Sequence, residues 1–147
     1  MQFTTTILAA ILSATALAAP TPAAEVKSAM ADVPQWTIEG LKRVCDQADT
    51  SCTWSFGIDT HLAPTTACSF TVTGSPASRT GSSGHVCGDY TVSSGWSGQF
   101  GEGNGFTTLS VVDFGKKLIT WPAYTDKQLA NGAVVTPDLS YAPTVLQ

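Results

Sequence analysis

The chain has 147 residues, 12% of them charged, and a formal net charge of −4 at neutral pH. After residue 35 the cations Lys42, Arg43, Arg79, Lys116, Lys117 and Lys127 are outnumbered by acids, which excludes the clustered Lys and Arg that grip a phosphate backbone. Nucleic acid is therefore not an expected partner, and no stretch is apolar for long enough to predict a membrane span.

Met1 to Thr6 is short and polar, and Ile7 to Ala18 is a run of apolar and small residues closing on Ala16-Leu17-Ala18. That small-x-small ending fits a signal-peptidase cut, so residues 1–18 are expected to be a signal peptide and the product to be secreted, extracellular. Residues 19–35 are rich in Ala and Pro, with little hydrophobic periodicity, and predict a flexible leader. Residues 36–147 suffice for one core and predict a single β domain.

Strands follow in chain order. Trp36 and Ile38 open the first, and Gly40 shifts the phase so that Leu41 falls on the wrong side, which predicts a bulge. Cys52, Trp54, Phe56 and Ile58 alternate with polar or small residues, as do Cys68, Phe70 and Val72, and later Tyr90, Val92 and Trp96. This period of two marks half-buried antiparallel strands. Phe106 to Phe114 is apolar on both faces near Leu109, Val111 and Val112, as expected of a central strand, and Lys117 to Trp121 follows across a turn. The Asn131-Gly132 turn signal predicts a last pairing segment at residues 133–135. Together these define an all-β fold. A small antiparallel β-barrel is the expected form, because Gly-marked bends and a bulge help a sheet curl on itself, with a β-sandwich as the alternative.

Cys45, Cys52, Cys68 and Cys87 stand in a chain marked for an oxidising compartment, so two disulfides are expected. None forms a Cys-x-x-Cys pair, and only His61 and His85 could supplement them, so no metal is expected.

Two loops stand apart. Residues 74–84 are dense in Ser, Gly and Thr and are expected to be exposed and mobile. Residues 95–105 hold five glycines with Trp96, Phe100 and Glu102 between them. Such a loop is either a packed cover over one end of the fold or a contact surface, and Trp96 and Phe100 are the candidate contact residues.

Chemistry is harder to find. Gly95-Trp96-Ser97-Gly98-Gln99 stops one residue short of a nucleophile elbow and lacks the helix that should follow. Gly101-Glu102-Gly103-Asn104-Gly105 ends in Phe106 where a dinucleotide fingerprint needs Gly. His61 and His85 read as exposed loop histidines, and Asp46 and Asp49 as caps of the turn between Cys45 and Cys52. Among the acids, Glu39 and Asp113 alone have apolar sequence neighbours, a thin basis for acid–base work. No catalytic residue and no cofactor are expected, and the chain reads as a non-enzyme.

Several blocks carry a family likeness: Trp36-Thr37-Ile38, Asp49-Thr50-Ser51-Cys52, Ser55-Phe56-Gly57-Ile58, Phe70 to Ala77, Tyr90 to Phe100, Gly103 to Thr108, Tyr124 to Gln128 and Pro137-Asp138. In this order they resemble the small secreted proteins of filamentous ascomycetes that include hypersensitive-response-inducing elicitors. The resemblance implies an elicitor or effector that triggers plant defence responses, with a plant cell-surface or apoplastic protein as partner. It carries no catalytic residues. Binding of a wall glycan or small apolar ligand, and inhibition of a host defence protein, are the alternatives. A more distant likeness to the β-barrel allergen of Alternaria implies pairing of Cys68 with Cys87, and so of Cys45 with Cys52. No cysteine follows Cys87, so a monomer or weak dimer is expected rather than that allergen's covalent dimer.

Overall fold

The structure, a computed structural model, describes residues 31–147. The expected signal peptide and most of the expected leader lie outside the described residues. Ten strands follow: β1 (Trp36–Cys45), β2 (Ser51–Asp59), β3 (Thr66–Thr73), β4 (Ser82–Cys87), β5 (Tyr90–Ser97), β6 (Phe106–Asp113), β7 (Leu118–Thr120), β8 (Ala123–Thr125), β9 (Leu139–Tyr141) and β10 (Thr144–Val145). Two single 3₁₀ turns, Ala77–Arg79 and Ala130–Gly132, complete the regular structure among the described residues.

Alternation in the sequence becomes two inner faces. In β2 and β3 the pairs Cys52 with Val72, Trp54 with Phe70 and Phe56 with Cys68 stand opposite one another and all are buried. Trp54 and Phe70 stack with ring centres 6.1 Å apart. Across the core, β6 supplies Leu109 and Val111 and β5 supplies Tyr90 and Val92, and Trp36 meets Tyr90 edge-on at 5.6 Å. Cross-strand pairs of this kind carry most of the stabilisation of a sheet.

The β1 bulge is present. Register with β2 shifts between Glu39 and Lys42, and Gly40 adopts φ +57°, a left-handed conformation that glycine takes without steric cost. The shift turns Leu41 and Arg43 inward, where they are 1% and 7% exposed. Asp138 Oδ1 accepts the Gly40 N–H at 2.9 Å and satisfies the donor that the bulge leaves free of the ladder.

The sheets do not close, so the fold is sandwich-like rather than a barrel. One sheet has the order β3-β2-β1-β9, the other β10-β7-β6-β5-β4, with β8 also paired to β6. Closure would need ladders between facing edges. β9 and β10 have three and two residues and each pairs on one side, while β4 pairs with β5 and not with β3. The Cys68–Cys87 disulfide, with Cα atoms 5.2 Å apart, joins the β3 and β4 edges in place of a ladder. Cys45 and Cys52 are directly opposite in the β1–β2 hairpin and form the other disulfide.

Two further expectations need correction. Residues 133–135 form no strand. Asn131 and Gly132 adopt left-handed φ within the 3₁₀ turn, and Val135 makes a single backbone bond to the Leu41 carbonyl at 2.8 Å. The terminal strands are β9 and β10. The segment after β3 is exposed at most positions, as expected, but it holds regular structure. Ala77 is buried, its N–H donates to the Asp49 carbonyl at 2.8 Å, and residues 82–87 are β4.

Candidate functional site

The site is built around Trp96, near the end of β5. Period-two alternation puts Trp96 on the same face as Tyr90 and Val92, so its ring lies at the rim of the core, half-buried. Its indole N–H donates to Asp126 Oδ2 at 2.9 Å, just past β8. The other Asp126 oxygen accepts from Arg43 Nη1 at 3.5 Å, and the same nitrogen donates to the Ser78 carbonyl at 3.2 Å. The bulge that turns Arg43 inward thus supplies the cation that balances Asp126.

Glycine is demanded at two places by close approach. A Cβ on Gly98 would lie 2.5 Å from the Trp96 ring, and one on Gly105 would lie 2.5 Å from Asp126 Oδ2 and 2.7 Å from the ring. Between them the chain makes two consecutive turns, with Gly101 N–H donating to Gly98 O at 3.0 Å and Asn104 N–H to Gly101 O at 3.1 Å. Gly101 and Gly103, at φ +94° and +81°, flank Glu102. Phe100, at the far end of this loop, is 65% exposed and stacks on Phe106 at 5.8 Å. Trp96 anchors the loop and Phe100 presents it.

Arg79, carried in by the 3₁₀ turn after β3, lies over the Trp96 ring at 5.0 Å and meets both Glu102 oxygens at 3.4 Å. A cleft of about 540 Å³ opens here, lined by Trp96, Arg79, Glu102, Asp126, Lys127 and loop glycines. A second cleft of about 500 Å³ lies on the Arg43 side, with Asp49, Ser78, Leu129 and Asn131 in its wall. The Arg43–Asp126 pair contributes one residue to each.

The remaining candidates are held in structural bonds. Asp46 caps its turn, accepting the Thr50 N–H at 2.7 Å, the Thr50 hydroxyl and the Ser51 N–H at 3.2 Å. The Thr50 hydroxyl bond, then the Thr50 amide bond, holds this carboxyl below its ordinary range. Asp49 does not cap. Its carboxylate reaches across to the Ser78 N–H at 2.8 Å and to the Ser78 hydroxyl, fastening the Ala77–Arg79 turn to the hairpin. Asp49 also stands with Cys45 and Cys52 in a cluster of ligand-type atoms, but both sulfurs are spent in the disulfide and offer no thiolate. Glu39 and Asp113 lie in different sheets, and Asp113 accepts the Lys116 N–H at 3.0 Å. Ser97 closes β5 with no helix after it, and its hydroxyl accepts the Gln99 N–H at 3.3 Å. Burial raises the phenols of Tyr90, Tyr124 and Tyr141 above their ordinary value.

One histidine differs from expectation, and His61 is the exposed loop residue expected. His85 lies within β4, half-buried, stacked on Phe70 at 4.3 Å and bonded to the Ser82 hydroxyl at 2.8 Å. His61 is exposed but not idle. Asp59 accepts its backbone N–H at 2.8 Å and lies 3.4 Å from its Nδ1, while Nε2 meets the Thr37 hydroxyl at 2.9 Å. Thr37 in turn bonds the Ser140 hydroxyl at 2.8 Å, so this chain of side chains ties β9 and the β2–β3 connection to β1. Neither large cleft includes any of these four residues.

A family model described as Effector TSP1 matches residues 37–146, from β1 to just beyond β10. The chain belongs to the Effector TSP1 family. A relative named Effector TSP1, from the fungus Hypocrea virens, is 57% identical over 148 residues, covering 99% of each chain. The likeness to fungal effector proteins read from the sequence blocks is thus a family relationship, and the Effector TSP1 match takes in both disulfides, the bulge and the Trp96 loop.

Proposed function

We propose that this protein is a secreted, non-enzymatic effector that plant tissue perceives, or that acts on a plant apoplastic protein, through its folded surface. One observation carries the reading: similarity along 99% of both chains to a fungal protein named as an effector. The arrangement of side chains supports it, because Asp46, Asp49, Asp59 and His85 are committed to turns, straps and a stack. Phe100, on a loop fixed from behind by Trp96, is the side chain best placed to meet a partner. Infiltration of purified protein into leaves tests the reading, alongside a Phe100→Ser variant. Ion leakage and defence-gene induction should follow the native protein and fall with the variant. Equal responses to protein and buffer would defeat it.

A second reading, an extracellular glycan-binding module, is favoured by the cleft at Trp96.

A further inference from the structure

We infer that the cleft between the residue 98–105 loop and the segment after β8 binds a carboxylate-bearing sugar, a uronate. Arg79, which lies over the Trp96 ring, and Lys127 would pair with its carboxylate. The inference deepens the glycan-binding reading and does not depend on the elicitor reading.

Volume comes first. About 540 Å³ falls within the range of small-ligand sites, room for one or two sugar rings. Charge comes second. The chain is acidic, at −4, whereas the cleft wall is balanced, with Arg79 and Lys127 against Asp126 and Glu102. Asp126 is already satisfied, by the indole N–H at 2.9 Å and by Arg43 at 3.5 Å. Arg79 forms its one ion pair among the described residues with Glu102, and that carboxylate is 80% exposed. Lys127 makes no ion pair among the described residues. An exposed ion pair contributes little, so an incoming carboxylate can take Glu102's place on Arg79.

The backbone leaves Glu102 on an exposed turn. Glu102 sits between Gly101 and Gly103, both left-handed, so the loop turns about residues without Cβ atoms on either side. Trp96, by contrast, is fixed by the Asp126 bond and by the close approach of Gly98 and Gly105, and it gives Arg79 a fixed surface to lie on. A sugar fits better than a flat aromatic or aliphatic acid. The rest of the lining is glycine backbone, Ala130 and carboxylate oxygen, and its oxygens can accept from sugar hydroxyl groups.

Isothermal titration calorimetry with digalacturonate and with its dimethyl ester tests the inference on the full secreted chain. The acid should bind, and the neutral ester should bind at least about tenfold more weakly. Lys127→Ala and Arg79→Ala should each weaken the acid about three- to fivefold, and Glu102→Gln should tighten it about threefold by removing the competitor. Circular dichroism reports whether each variant is folded, and Glu102→Gln and Lys127→Ala alter exposed side chains outside the core. Equal binding of acid and ester, or a Glu102→Gln variant that binds no more tightly, would overturn the uronate while leaving a neutral-glycan site. Binding of neither compound would overturn both.

Discussion

Trp96 donates its indole N–H to Asp126 Oδ2 at 2.9 Å, and through that one carboxylate β5 is tied to the buried Arg43 of the opposite sheet. The bond joins the two halves of the sandwich at the end where both large clefts open. It also makes Asp126 the hinge of stability here. Removing the carboxylate strands a guanidinium whose side chain is 8% exposed, whereas removing the indole N–H leaves Asp126 paired with Arg43. We expect Asp126→Ala to cost about 2 kcal/mol, below the full penalty for breaking a buried pair because Asp126 itself is partly exposed, and Trp96→Phe to cost about 1 kcal/mol through the bond. Urea unfolding of the two variants measures this, and a larger loss for Trp96→Phe would contradict the assignment.

Glycines of the same loop should divide sharply. Gly105→Ala forces a Cβ to within 2.5 Å of Asp126 and 2.7 Å of Trp96, and overpacking of this kind costs about 1–3 kcal/mol. Gly95→Ala meets nothing within 4 Å and should be neutral or slightly stabilising. Thermal melts of the pair provide the check.

Much of the fold was legible in the sequence, because period-two alternation and Gly40 are local signals. Strands β1, β2, β3 and β5 and the bulge could be read that way, β6 showed as an apolar run, and β4 could not be read. The barrel could not be told from the sandwich, since closure depends on whether short edge strands meet, and no periodicity survives in three residues such as Leu139–Tyr141. The site was half visible. Trp96 and Phe100 stood out as aromatics among glycines, but Arg43, Arg79 and Asp126 lie at distant positions, and only the tertiary fold brings them to the same ring. His85 was misread for a related reason: its strand has polar and small neighbours, and the ring that holds it is Phe70, on β3.

The disulfides should contribute unequally. Cys68–Cys87 spans a separation of 19 and joins two sheets that share no ladder there, so removing it should cost about 3 kcal/mol in the chain-entropy account. Cys45–Cys52 spans 7 and closes a hairpin already paired in register, and should matter less. Denaturation of the two double-alanine variants gives the order, and non-reducing peptide maps give the pairing.

Asp46 makes stability depend on acid. Its folded pKa is depressed, chiefly by the Thr50 hydroxyl, so its contribution is present above the unfolded value and is lost as pH falls through the lower folded one. Titration followed by NMR should show Asp46 ionising below its ordinary 3.8, and Thr50→Ala should move it back up. An unchanged titration in Thr50→Ala would contradict the hydrogen-bond cause.

Replacing His61 and His85 together with Ala should lower stability, by about 1 kcal/mol for the lost Phe70 stack, and leave plant responses intact. A folded double variant that elicits nothing would point to histidine-dependent chemistry instead of surface recognition.

The most direct test of the central claim compares native protein with a reduced, alkylated and boiled sample of the same chain in leaf infiltration. If the folded surface is the signal, the native sample should induce ion leakage and defence genes, and the unfolded sample should induce neither at equal dose. Full activity in the unfolded sample would contradict the account and assign the activity to a linear peptide.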